Sequence, residues 1–283
     1  MTGAAHAAAP ASARRRPDAL VLVFVVEVLI AWVLAAPWSE TLARTVGAHP
    51  DGDRVAFWHP GGLLLVDLAE RLRGVLSALV AATSIGLAVF ALASVFVLGA
   101  WTAAIDDPGR PLRAAIARGA EVFWRLLVLG VVSGFAACVV AALLGIIPAW
   151  GISVRLADWD PRAALFLISL PLLVSAVFIA AILAAADLAR ARVVRHDMSL
   201  LAALAILRDR RAVWSQLVAS APRWLASIGL LGWGAAISSH SLSVTTIFLS
   251  HQAIAFARVA LRGSVLARAL RLAGARAAAS GIE

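Results

Sequence analysis

Apolar runs recur along the chain, and clusters of arginine, aspartate, proline and glycine separate them. A bilayer-spanning helix needs about 20 mostly apolar residues. Six stretches meet that need: 19–36, 75–101, 125–148, 163–187, 223–240 and 244–262. The last two share one long run. It divides at Ser238-Ser239-His240-Ser241, because a single helix over 223–262 would be twice the length a bilayer asks for. The pattern predicts an all-α, polytopic integral membrane helix bundle of about six transmembrane helices over residues 18–262. Residues 1–17, rich in Ala, Pro, Ser and Arg, read as a disordered tail. Residues 263–283 read as a basic tail lying as a helix on the inner surface.

Two segments between spans carry helical patterns of their own. Residues 102–124 open on the turn residues Asp106-Asp107-Pro108-Gly109. Leu112, Ile116, Gly119 and Phe123 then fall on one face, and Arg110, Arg113, Arg118 and Glu121 on the other. Glu121 precedes Arg125 by four, a favourable pairing on a helix. This is an amphipathic elbow on the cytoplasmic surface. Residues 188–221 repeat the arrangement, with Leu200–Ala205 echoing Leu112–Ala117. On the outer side, Leu64, Leu65, Leu68 and Leu72 suggest a short surface helix.

Composition fits this layout and excludes a water-soluble globule. Of 283 residues, 62% are hydrophobic and 14% charged, and the mean hydropathy is +0.92. The net charge of +9 does not point to nucleic acid. The chain lacks Lys, Asn and Tyr, so arginine supplies all basic charge, as expected of a GC-rich bacterial genome. With the N-terminus inside, 19 arginines fall on inner segments and 6 on outer ones. That bias places both termini in the cytoplasm and the protein in the bacterial inner membrane. Trp38, Trp150 and Trp159 then mark the outer interface, and Trp101, Trp124 and Trp224 the inner one. The first span contains Glu27 and is followed by Pro37, which argues against a cleaved leader.

Candidate chemistry is sparse. Glu27, near the middle of span one, is the clearest ionisable group in the bilayer, and an intramembrane charge is a functional hypothesis by default. With His251 and Gln252 it defines a candidate polar site. Asp187, Arg190 and Arg258 define a candidate structural network at the inner ends of spans four and six. Arg110, Arg113, Arg118, Arg208, Arg210 and Arg211 are candidate contacts for lipid headgroups. His49, Asp51, Asp53 and His59 match no metal-ligand spacing, so no metal or other cofactor is expected. Cys138 is the single cysteine and excludes an intrachain disulfide. Gly130 and Gly134 form a small-residue surface suited to close helix contact, and Pro171 is a kink position in span four.

The run Asp187-Leu188-Ala189-Arg190-Ala191-Arg192-Val193-Val194, then Pro222-Arg223, and later Gln252, Arg258 and Arg262, resembles a loose family of uncharacterised bacterial multi-span proteins. They are similar to the membrane domain fused to glycerophosphodiester phosphodiesterases. The resemblance covers roughly residues 75–270 and implies a six-helix bundle with cytoplasmic elbows. It implies no phosphodiesterase activity, because no segment is available to build the catalytic barrel. No phosphate loop, HExxH or GxSxG is present.

The expectation is therefore a non-catalytic scaffold, partner subunit or lipid-interacting module. Its partners are anionic lipids at the cytoplasmic face, and a protein partner or a homo-oligomer is open. The alternative is a small-solute or ion transporter with a central polar site around Glu27.

Overall fold

The computed structural model describes residues 12–47, 62–156, 160–238 and 243–280, and every regular element among them is helical. The helices are α1 (Pro17–Gly47), α2 (Gly62–Asp106), α3 (Leu112–Val140), α4 (Ile147–Arg155), α5 (Pro161–His196), α6 (Leu200–Leu204), α7 (Arg210–Ser238) and α8 (Val244–Ser280). Four stretches are long and apolar enough to cross a membrane: Pro17–Thr41, Leu72–Asp106, Leu112–Arg155 and Arg162–His196. They cover the first four expected spans. Gly, Ser, Trp and Arg dilute the apolar character of α7, and Thr, Ser, His, Gln and Arg that of α8; both fall outside that set.

The sequence accounts for the breaks. After α2, the Asp107 carboxylate accepts from the Gly109 N–H at 3.0 Å, closing a turn before Pro111. Asp160 caps the start of α5, whose first residue is Pro161, a position where proline loses no helical bond. Asp197 ends α5 in the left-handed region at φ 53°, and Ser199 caps α6. A 3-10 turn at Ala205–Arg208 then leads to Asp209, whose carboxylate accepts from the Ala212 N–H at 3.0 Å. Between α3 and α4 the helix widens into a π segment, Ala141–Ile146. Pro148 follows two residues later, lacking an N–H and crowding the preceding turn, and a wider turn absorbs both defects.

Several expected boundaries move. The elbow at 112–124 forms the opening turns of α3, since no breaker separates Leu112 from Val140. The expected repeat is only partly realised, because Leu200–Ala205 forms a five-residue helix that gives way to a 3-10 turn. Pro37, Pro171 and Pro222 all lie inside helices that continue past them. The outer surface helix is the start of α2. Residues 1–11, the loop holding His49, Asp51, Asp53 and His59, Trp159, and Ser239–Ser241 lie outside the described residues.

The described chain forms two compact units. The larger takes in the chain up to Leu20, Val95–Gly229 and the chain from Ala260 onward. Its core is apolar, with Ile105, Val122, Leu126, Leu188, Ile206, Val265 and Leu270 all buried. Two sequence expectations fail here. The basic C-terminal tail is not a surface helix: α8 continues through it, and Val265, Leu266, Ala269, Leu270 and Ala273 are core residues. Its alanines and leucines recur at helical spacing, so one face can be buried although the stretch is rich in arginine. Trp101 is not an interface marker either. It is buried at 4% exposure, and its ring closes on Gly263. The end of the N-terminal segment is likewise held, with Ala13 buried and the Arg16 Nη1–H donating to the Arg110 carbonyl at 2.7 Å.

The smaller unit comprises Val21–Ser94 and Leu230–Val259. The Trp38 indole N–H donates to Thr83 Oγ1 at 2.6 Å, linking α1 to α2. Phe24 and Phe256 meet edge to face with centroids 5.4 Å apart, linking α1 to α8. Along the four apolar stretches, large side chains such as Trp32, Val131, Phe135 and Phe166 point outward and stay exposed. Lipid tails, which are as apolar as these side chains, would solvate such surfaces.

Candidate functional site

Charged chemistry concentrates in the larger unit, where helix ends meet the two elbows. Its centre is Asp187, which is fully buried. Arg262 grips the carboxylate with both guanidinium nitrogens, Nη1 to Oδ2 at 2.9 Å and Nη2 to Oδ1 at 2.7 Å. Arg190, one turn along α5, donates to Oδ1 at 2.9 Å. Two cations on one carboxylate leave the knot positively charged. The two-pronged grip suits arginine, whose planar fork matches a carboxylate. Of the expected trio, Asp187 and Arg190 are together, and Arg262 supplies the third group one turn beyond Arg258. Arg258 lies in the smaller unit, where its charge acts on Glu27.

A second cluster holds the end of α5. Arg118 donates through Nε and Nη2 to the Val194 carbonyl at 3.3 and 3.1 Å. It also reaches the Asp197 carboxylate at 3.0 Å. Arg125 donates to Asp197 Oδ1 at 2.6 Å and to the carbonyls of Asp197 and Met198 at 3.0 and 3.1 Å. These carbonyls are the unpaired acceptors of a helix C-terminus, where positive charge is favourable. The hydrogen bond from Arg125, reinforced by the Arg118 charge, holds the Asp197 carboxyl below its ordinary value. Arg118 is therefore a clamp residue, not a free headgroup contact. Glu121 pairs with Arg118 at 3.0 Å rather than with Arg125. Arg195 forms a third tie, donating to the Leu270 carbonyl at 3.2 Å, with Asp106 3.6 Å away.

The acids of this end are thus taken by internal partners, and the basic excess faces outward. Arg110 is half-buried beside Asp107. Arg113, Arg208, Arg210 and Arg211 are exposed and have no ion-pair partner among the described residues. Between α7 and α8, Gln216 and Ser220 are buried, and Gln216 donates to the Val265 carbonyl at 3.3 Å. Sequence reading missed both. Their four-residue spacing, which places both on one face of α7, was the available signal.

In the smaller unit, Glu27 is exposed, and Gln252 is half-buried. His251 Nε2 lies 2.9 Å from Ser238 Oγ, joining the end of α7 to the start of α8. Glu27 is coupled to Arg258, and no hydrogen bond among the described residues joins it to His251 or Gln252. No group of three or more metal-ligating side chains occurs among the described residues.

No family model, curated protein or solved structure matches the chain.

Proposed function

We propose that the chain is a non-catalytic, lipid-interacting module of a bacterial inner membrane, a scaffold or partner subunit whose arginine-rich end rests on anionic headgroups. In this reading α7 and the start of α8 are spans five and six, and both termini lie in the cytoplasm. The resemblance to phosphodiesterase-linked membrane domains enters for its fold alone. The observation that carries the reading is the arginine excess. Asp106, Asp107, Glu121, Asp187 and Asp197 are each paired internally, while Arg113, Arg208, Arg210 and Arg211 remain outward. Each arginine near an anionic surface contributes about 1 kcal/mol. Protein in nanodiscs of mixed zwitterionic and anionic phospholipid should therefore enrich anionic lipid in its shell. Changing all four arginines to glutamine should remove most of that enrichment. Equal enrichment by the variant would overturn the reading.

A second reading, a proton- or cation-coupled carrier, draws on Glu27 within the first apolar stretch. Its coupling to Arg258 favours a charge pair that holds α1 to α8 instead. Glu27→Gln should lower the thermal midpoint, and adding Arg258→Gln should restore much of it, because neither variant charge is then left alone. Proteoliposome proton or cation flux that disappears in Glu27→Gln would decide for the carrier.

A further inference from the structure

A groove of about 410 Å³ opens between α5 and the start of α7. On α5 its wall includes Phe178, Ala181 and Ala185, and on the other side Leu207 and Trp214. The α5 residues span Val177–Ala185, about 12 Å of helix. On α7 the lining positions Arg210, Val213, Trp214 and Leu217 follow helical spacing and form one stripe. The walls are apolar except for Arg210. Small side chains at Ala181 and Ala185 make the depression. Arg210 begins α7, so its charge adds to the positive end of a 29-residue helix. Arg208 and Arg211 flank it in sequence and are exposed. Asp209, the nearest acid in sequence, turns its carboxylate to the Ala212 N–H at 3.0 Å. Trp214 is 64% exposed, with an amphipathic ring suited to headgroup level.

The geometry points to a dedicated site for one anionic phospholipid, its acyl chain along Val177–Ala185 and its phosphate at Arg210. Bulk lipid would wet any apolar face. A concave apolar channel headed by an exposed cation with no ion-pair partner among the described residues, at a helix N-terminus, selects a molecule with an acyl tail and an anionic head. This deepens the proposed function and rests on it for the depth of α7 in the membrane.

The test uses the full chain in nanodiscs of equal palmitoyl-oleoyl phosphatidylcholine and phosphatidylglycerol, then native mass spectrometry after detergent release. Wild type should retain one phosphatidylglycerol per chain. Arg210→Gln should cut that retention about fivefold. Ala181→Trp, which fills the groove, should abolish it. Arg155→Gln, which removes an exposed charge outside both the four-arginine set and the groove lining, should leave it intact. Equal retention of both lipids by wild type, or unchanged retention in Arg210→Gln, overturns the site. A dimer lost in Ala181→Trp overturns it too, assigning the groove to a second copy. Enrichment in the surrounding shell is read separately. If it persists while no lipid is retained, the groove assignment fails alone. If it is absent as well, the proposed function fails with it.

Discussion

Asp187→Asn should lower the thermal midpoint of the detergent-solubilised protein more than any other single loss of charge. Both carboxylate oxygens accept from guanidinium groups at 2.7–2.9 Å, and the residue has no exposed surface. Asparagine removes the negative charge and turns an N–H₂ toward a cation. Arg190, with 12% of its side chain exposed, is then left facing Arg262 with no negative charge between them. Breaking a buried pair by removing one partner costs about 3–5 kcal/mol, mostly because the remaining charge stays out of water. Arg262→Met should cost less, since the Arg190–Asp187 bond survives and Arg262 is itself one-third exposed. Arg262→Lys should not restore the full midpoint, because an ammonium cannot make the two parallel bonds. A midpoint for Asp187→Asn within about 1 °C of wild type would sink this account of the knot.

How much of the fold was legible depends on whether the information was local. The four stretches long and apolar enough to cross a membrane were readable because a sustained apolar run near 20 residues matches the thickness of a bilayer and exceeds what a buried soluble helix needs. The turn at Asp106–Arg110 was readable too, since Asp, Pro and Gly lie side by side there. Register between distant segments was not readable. Asp187 could be paired with the inner end of the sixth expected span from its place in the layout, but Arg258 and Arg262 are one turn apart, and sequence spacing does not choose between them. The same limit hid the Arg125–Asp197 pair. Glu121 stood four residues from Arg125 and offered a local partner, while Asp197 is 72 residues away. Composition misled at the C-terminus: arginines suggested a solvated surface, yet Leu266, Ala269, Leu270 and Ala273 share a buried face. For the candidate site, the sequence marked which arginines belong to basic elbows. Only packing separated Arg118, which clamps a helix end, from Arg113 and Arg210, which face outward.

Gly119 is the second position where a small change should have a large effect. A Cβ there would lie 2.7 Å from the Ala100 backbone nitrogen and 3.0 Å from its Cα. The obstacle is main chain, so no rotamer change can relieve it. The approach is mutual: a Cβ at Gly99 would lie 3.3 Å from Gly119 Cα and 2.9 Å from Leu126 Cδ1. α2 and α3 therefore cross backbone to backbone at Gly99 and Gly119. The small-residue face at Gly130 and Gly134, which the sequence suggested for such contact, is open. Gly134 has nothing within 4 Å, and Gly130 has only Val95, at 3.9 Å. Gly119→Ala should force the helices apart and cost about 1–3 kcal/mol, and Gly119→Leu more. Gly134→Ala should be neutral or stabilising, because alanine favours the helix and meets no neighbour. The effect should also reach the charged end. Arg118 adjoins Gly119, and Arg125 lies less than two turns further on, so displacing α3 moves both donors from the end of α5. Hydrogen exchange in Gly119→Leu should accelerate at Val194–Met198 as well as at the crossing. Loss of protection at the crossing alone would mean that the clamp on Asp197 holds independently of the α2–α3 contact.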